Sequence, residues 1–510
     1  MKRNTITDYF HQNWRVKIER YHAKNEIGIV CSFPQEPTDT YFYFLIYDDV
    51  DVKSGEYVEV AAGNYVIIGK ISKICVYDEL FKDLNFVQTQ INAPISYCAL
   101  LPPRLTQKRI AYVIIIGVLE SNKILPPSIP PEPGERVFLA KNESLRKVLD
   151  LPSDGIFIGT LINRPDIRVF LDPEKLLSFH FAIFGTTGTG KSYTAGVIIE
   201  EFLERNIPIL VIDPHGEYEK MSEPNTNASD IRELRKYDLA PKGYPIRVFK
   251  PYYQNTGDLS LSFDMLDFDA LSELARVTET MRDLLFLVLK ELKREGKAFD
   301  LNTIAETIDR VASKWNFSFK TRVALKRNIE VLNELGIFDS GFDVTELIKP
   351  GQLTIINVSE DMPEYVRKIF IGVLLKEIFK ARKNKRIPRT LIVIDECHRF
   401  ISSEDRDSFT LNSIRKIARE GRKFGIGLGI ISQRIVGLDK TVVSQCRTKI
   451  ILRLDMYTDI DQLAPYFTDE KIRQKIMCLP DGTAYIVGAA TRFPILVKIR
   501  PRKSNYVKFF

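Results

Sequence analysis

Cysteine is scarce: six in 510 residues, at Cys31, Cys75, Cys98, Cys397, Cys446 and Cys478. They form no CxxC pair and stand near no histidine at ligand spacing, which argues against a structural zinc site and against a disulfide framework. Long apolar runs are lacking too. The longest centres on residues 111–119, about half of the roughly 20 needed to cross a bilayer as a helix, so no membrane partner is expected. Residues 1–11 are polar, without an apolar segment ahead of a small-residue cleavage site, and the expectation is a cytoplasmic chain with no secretory leader. Low-complexity tracts are absent, and 27 Gly with 26 Pro exclude a collagen. No large excess of one charge exists either. A net charge of +7 permits a nucleic-acid partner without requiring one, although a ring of such chains would concentrate the excess around one pore.

What is present is enough apolar residue, 45%, for more than one core, and the length suggests two to four domains. Residues 27–31, 40–47, 57–60, 65–68 and 112–118 are β-branched or aromatic runs separated by Pro, Gly, Asp or Asn, the spacing of a small antiparallel barrel. The proline-rich stretch 126–134 cannot sit in a central strand and is expected to wrap the barrel's rim. From about residue 164 buried apolar strands alternate with helices, the pattern of a doubly wound, mostly parallel sheet. Its expected strands are 179–184, 208–212, 353–358, 390–394, 425–431 and 449–454. A helical insertion at about 266–340 separates the second from the third, with helices that stop at Gly296 and Gly336 as glycine caps.

Gly185-Thr186-Thr187-Gly188-Thr189-Gly190-Lys191-Ser192 fits GxxxxGK[ST] between an apolar strand and a helix. In this setting the glycines let backbone N–H groups turn inward around phosphates, Lys191 reaches the outer phosphate oxygens and Ser192 ligates Mg2+, which implies ATP as cofactor. Leu391 to Ile394 then end in Asp395 and Glu396. Asp395 is expected to hold Mg2+ and Glu396 to orient the attacking water. Gln433, after another apolar strand, falls at the same rim, where an amide can sense the γ-phosphate. The turn Asp213-Pro214-His215-Gly216-Glu217 closes the second strand there, and its acids are expected to face the rim as well. Arg415, Arg419 and Arg422, at spacings of 4 and 3, share a helical face. Either they are a solvated basic face, or one of them, Arg422 by preference, acts on a neighbouring subunit's phosphate. The basic run 380–389 reads as a solvated helix end rather than a DNA patch.

With these motifs, and with DPHGEY (213–218), VIDECH (393–398), IAREGRKFG (417–425) and Gly437-Leu438-Asp439, the chain resembles the HerA branch of the FtsK-HerA ATPases over nearly its whole length. The resemblance implies a hexameric homo-oligomer threading double-stranded DNA, a NurA-like nuclease as partner in DNA end processing, and Lys191, Ser192, Asp395, Glu396 and Gln433 at motif positions. Phe179 departs from the family's pattern, in which an arginine often precedes the position of His180. The organisation implied is an extension over 1–25, a HAS-like barrel over 26–165 and a RecA-like ATPase domain over 166–510 with a short tail from about 500. An ATP-regulated ring scaffold for a nuclease or other effector, and a DNA-packaging motor, are the alternatives.

Overall fold

The computed structural model describes residues 25–78, 80–92, 107–121, 123–296, 300–358, 361–405, 408–467 and 472–507. Residues 1–24 of the expected extension over 1–25, Cys98 and residues 508–510 lie outside these. The chain divides into two compact units, 1–149 and 150–510.

In the first unit, β1 (Glu26–Cys31), β2 (Tyr41–Ile46), β3 (Tyr57–Ala62), β4 (Tyr65–Asp78), β5 (Gln107–Glu120), β6 (Lys123–Leu125) and β7 (Arg136–Leu139) form one antiparallel sheet. Pairing of β2 with β5 closes six of these strands into a barrel, and β6 hangs on β5 as a hairpin. Strand β2 shows the cause: Phe42, Phe44 and Ile46 point into the core and the residues between them do not, the period of 2 that a pleated strand imposes. Strands β4 and β5 run further than their apolar stretches alone indicate. Register shifts at Ile68/Gly69 and Ile71/Lys73 bend β4 around the barrel. Gly69 permits that bend, because a Cβ there would lie 2.3 Å from Val113 Cγ1.

The second unit is built on β8 (Ile156–Leu161), β9 (Arg164–Leu171), β10 (Phe181–Phe184), β11 (Ile209–Asp213), β12 (Ile246–Phe249), β13 (Leu353–Asn357), β14 (Thr390–Ile394), β15 (Ile426–Ser432), β16 (Thr448–Ile451), β17 (Thr483–Gly488) and β18 (Ile495–Ile499). Their order is β12-β13-β11-β14-β15-β10-β16-β17-β18-β8-β9. The strands from β12 to β16 are parallel, and β17, β18, β8 and β9 extend the sheet with antiparallel pairings. The doubly wound sheet and the preceding barrel are therefore both present. The barrel ends earlier than its expected limit at 165. Strands β8 and β9 look like barrel strands in sequence, yet their partner is β18, from the other end of the second unit.

The helices Phe268–Leu274, Glu279–Glu295, Leu301–Lys314 and Phe319–Glu334 make up the insertion. Gly296 caps the second of them at φ 65°, and Gly336, at φ 57°, follows the last.

After β18 the chain turns back over the helix Lys191–Glu204 and buries Arg500, Arg502 and Lys503 against it. Arg500 binds Glu200 at 3.0 Å and Glu201 at 2.9 Å, and Lys503 binds Glu201 at 3.0 Å and Glu204 at 2.6 Å. Ser504 completes Glu200 with its backbone N–H and its hydroxyl. Such a cluster adds little over an apolar core of the same shape, but removing one partner strands a buried charge. Arg500→Ala should therefore lower unfolding free energy by about 3–5 kcal/mol, read from urea denaturation of the full chain. A loss below about 1 kcal/mol would show that the cluster is not the tail's anchor.

Candidate nucleotide-binding and hydrolysis site

Parallel strands end together, so the segments that follow β10, β15, β14 and β11 lie side by side along one rim of the sheet. The loop after β10 is the glycine-rich segment. Gly188 and Gly190 take φ of +81° and +100°, a region that suits glycine, and the space where a Cβ of Gly188 would sit is open to 4 Å. The loop is braced by the segment beyond β16, where the Arg453 carbonyl accepts the Thr186 N–H at 2.9 Å, and within itself, where Thr189 Oγ1 donates to the Thr186 carbonyl at 2.7 Å. Gly190 then starts the helix Lys191–Glu204 without a side-chain cap, leaving its first N–H groups directed out of the helix end.

Lys191 is only 7% exposed, and its Nζ donates to the Thr186 carbonyl at 3.2 Å. Burial pulls its pKa below the usual lysine value, while Glu396, Asp395 and Glu217 pull it back up. From the loop a chain of hydrogen bonds crosses the rim. Thr187 Oγ1 donates to Gln433 Oε1 at 2.9 Å, and Gln433 Nε2 donates to Glu396 Oε1 at 2.7 Å. Three motifs from three strands thus share one amide.

Glu396 adopts φ 45° and ψ 46°, left-handed backbone that costs a residue with a Cβ about 1 kcal/mol or more. That conformation turns the chain off β14. Glu396 Oε2 is buried and accepts no hydrogen bond, although His398 Nδ1 stands 3.2 Å away. Burial opposes its ionisation, but His398, Gln433 and Lys191 outweigh that and take its pKa down to about 2. Asp395 behaves in the opposite way. Burial pushes its carboxyl up to about 7, against hydrogen bonds from Tyr218 and from the Glu396 N–H.

Tyr218, fully buried, donates its hydroxyl to Asp395 Oδ2 at 2.7 Å, and the Glu396 N–H donates to Oδ1 at 2.7 Å. Asp213 explains how Tyr218 comes to be there. Its carboxylate accepts from the N–H groups of His215, Gly216 and Tyr218 at 3.1, 2.8 and 3.1 Å, folding DPHGEY into a tight turn. Asp213 is therefore turned into its own loop rather than toward the cleft, unlike the expectation for that acid.

These groups fit a nucleotide with its divalent cation. Lys191 and the loop N–H groups suit the phosphates, Ser192 and Asp395 suit Mg2+, and Oε2 of Glu396, with His398 Nδ1 at 3.2 Å, is an acceptor for a water proton. Residues 156–378 match the family described as "Helicase HerA, central domain". The "probable DNA double-strand break repair helicase HerA" of Methanocaldococcus jannaschii is 31% identical over 445 residues, 77% of this chain and 85% of that protein. The chain belongs to the HerA helicase family. Its relative in Pyrococcus furiosus, "DNA double-strand break repair helicase HerA", is 26% identical over 544 residues, 93% of this chain and 92% of that protein. Among solved structures, the bacterial conjugative coupling protein TrwB is similar at TM-score 0.49 and 18% identity, over 72% of this chain and 94% of that one. No helix among the described residues is long and apolar enough to cross a membrane.

In this HerA family member the three arginines of the helix Phe409–Phe424 have separate fates. Arg415 is tied to Asp439 at 2.8 Å, and Asp439 caps the helix Lys440–Gln445. Arg419 is exposed. Arg422 is exposed as well, and its guanidinium lies 4.2 Å from the Phe179 ring centroid, with Arg447 on the same ring at 5.0 Å. Phe179 precedes β10 while Lys191 follows it, so Arg422 lies at the opposite edge of the sheet from the phosphate loop of its own chain. His180 pins this helix: its Nδ1 accepts the Leu428 N–H at 3.0 Å, and its Nε2 faces the Ala418 carbonyl at 3.1 Å. Burial lowers its pKa to about 4, so the ring stays neutral in that role.

Sequence reasoning gave no role to Tyr218 or His398, although both fall inside motifs it singled out. The available signal was Asp213 heading a Pro-His-Gly turn, which aims the residue at position 218 back at the sheet. Tyr218→Phe should keep ATP affinity but raise the Mg2+ concentration for half-maximal hydrolysis several-fold. The effect should be larger at pH 6 than at pH 8, because losing a donor to the ionised form raises the Asp395 pKa further. Unchanged Mg2+ dependence at both pH values would leave Tyr218 as core packing only.

Proposed function

We propose that this chain is an ATP-driven duplex DNA translocase that works as a hexameric ring, with a NurA-like nuclease as its partner in DNA end processing. The observation that carries the reading is the hydrogen-bond path from Thr187 through Gln433 to Glu396, which links the loop that would hold the phosphates to the residue that would activate water. Membership of a helicase family and a complete set of hydrolysis residues support turnover rather than passive binding. The M. jannaschii and P. furiosus relatives, described as DNA repair helicases, support DNA as the substrate.

Bound Mg2+ would supply charge neutralisation on the phosphates. The chain's own residues do the rest. Lys191 and the loop N–H groups hold and orient, and Ser192 and Asp395 keep the cation in register. Glu396, ionised across the physiological range, accepts the water proton at Oε2 while Gln433 holds Oε1. Gln433 also ties this carboxylate to the loop, so a change at the phosphates reaches the end of β15. Arg422, remote from its own loop and exposed, is assigned to the neighbouring subunit's site, where an arginine is worth about 10³ to 10⁵ in rate.

Glu396→Gln should keep nucleotide binding but cut hydrolysis at least about 100-fold, whereas Lys191→Ala should weaken binding itself. Linear duplex DNA should stimulate the wild-type ATPase. Near-normal hydrolysis by Glu396→Gln would overturn the catalytic assignment, and absence of DNA stimulation would favour the scaffold reading. A second prediction concerns mixed rings. Chains carrying Arg422→Ala mixed with chains carrying Glu396→Gln should recover ATPase activity that neither has alone. No recovery, despite demonstrated subunit exchange, would confine Arg422 to its stacking role on Phe179.

A further inference from the structure

The helical insertion meets the helices Glu364–Lys383 and Phe409–Phe424 around a cavity of about 750 Å³, none of whose lining residues belongs to the nucleotide site. That volume lies within the range of small-molecule sites. Phe379 and Phe409 give it apolar walls, and its charges are unequal. Five cations, Arg282, Lys376, Lys380, Lys383 and Lys416, face three carboxylates.

The carboxylates are already committed. Asp267 pairs with Lys376 at 3.1 Å, Asp269 pairs with Arg282 at 2.5 Å, and Glu273 accepts the Phe409 N–H at 2.7 Å. Of the remaining lysines, Lys380 reaches Glu377 at 3.4 Å. Among the described residues no carboxylate pairs with Lys383 or Lys416, and Lys416 Nζ rests 5.0 Å from the centroid of the Phe379 ring. Ser272, 1% exposed, is among the lining residues, and its hydroxyl, shut off from solvent, has no hydrogen-bond partner. Orphaned buried hydroxyls are rare because each forfeits its hydration.

Lys380 and Lys383 also open the basic run 380–389, and the rest of that run is largely occupied. Arg389 forks onto Glu174 at 3.0 and 2.6 Å, Arg386 reaches Asp343 at 3.5 Å, and Arg382 bonds the Ile387 carbonyl at 3.3 Å. Lys383, at the cavity, and Lys385, outside it, have no carboxylate partner among the described residues.

We propose that this cavity is a second ligand site, distinct from the nucleotide site, for a small compound bearing several phosphate charges. Lys380, Lys383 and Lys416 hold its oxygens, and Phe379 and Phe409 form the walls. Ammonium groups converging from two helices suit an anion with charge spread over several oxygens better than a single carboxylate. Duplex DNA would need an extended groove, which a cavity of this size does not provide. Because the helix Phe409–Phe424 runs on into β15 and Gln433, occupancy would join the insertion to an element that ends at the hydrolysis rim.

The test is equilibrium dialysis of radiolabelled inorganic tripolyphosphate against the full chain, its phosphate loop first filled with a non-hydrolysable ATP analogue and Mg2+. One equivalent per chain should bind. Lys383→Ala/Lys416→Ala should weaken binding at least about tenfold, and Lys383→Arg/Lys416→Arg should restore most of it. ATPase activity without tripolyphosphate should stay within about twofold, which separates this site from the nucleotide reading. No uptake by the nucleotide-filled chain, or equal uptake by the alanine variant, overturns the proposal. So does a wild-type chain that takes up no tripolyphosphate while the alanine variant loses affinity for linear duplex DNA, since the lysines would then belong to a DNA track.

Discussion

Charge buried at the end of a β-sheet must be answered by a neighbouring strand, and the organisation of this rim follows from that requirement. Asp395 ends β14 with almost no contact with water, and the group that answers it is the hydroxyl of Tyr218, delivered from beyond β11. Glu396 is answered by Gln433 from beyond β15, and Gln433 by Thr187 from beyond β10. Each bond joins segments that are adjacent only because their strands are adjacent and parallel. A sheet that slipped its register would leave a carboxylate without its partner, a loss of roughly 1–3 kcal/mol for each group stranded. The same bonds that stabilise the rim therefore keep Glu396, Gln433 and the glycine-rich loop in register.

The two acids show how position divides similar chemistry. Both sit on one short segment, yet burial lifts Asp395 to about 7 while neighbours hold Glu396 near 2. Glu396 takes left-handed backbone where the chain leaves β14, and its side chain meets Lys191, Gln433 and His398 there, whereas Asp395 stays buried against Tyr218. A pair of acids on regular strand geometry would instead point to opposite faces of the sheet.

The phosphate loop, the acidic pair and Gln433 were legible because each is a local string bounded by apolar strands, and local strings depend on backbone geometry that neighbouring residues dictate. The Tyr218 bond to Asp395 was not, since it spans 177 positions and leaves no periodic mark. Arg415 illustrates the same limit. Helical spacing puts it on one face with Arg419 and Arg422, but only the fold brings Asp439 to it. The barrel's end was misplaced for a related reason. Strands β8 and β9 carry alternation that suits any antiparallel sheet, and nothing in them names β18 as partner. The insertion was readable as helices from its apolar stripes and glycine stops, whereas the cavity beneath it depends on which faces meet.

The cluster around Arg500 carries a consequence for synthesis. In the helix that follows the phosphate loop, Glu201 and Glu204 find Arg205 and Lys242 early, but Glu200 waits for Arg500 and Ser504, some three hundred residues later. Strand β8 waits equally for β18. On the ribosome, the second unit must therefore persist as an incomplete sheet, with Glu200 unanswered behind the phosphate loop, until residues 495–504 have emerged. Completion of the sheet behind the phosphate loop is in that sense a late event in the life of each chain.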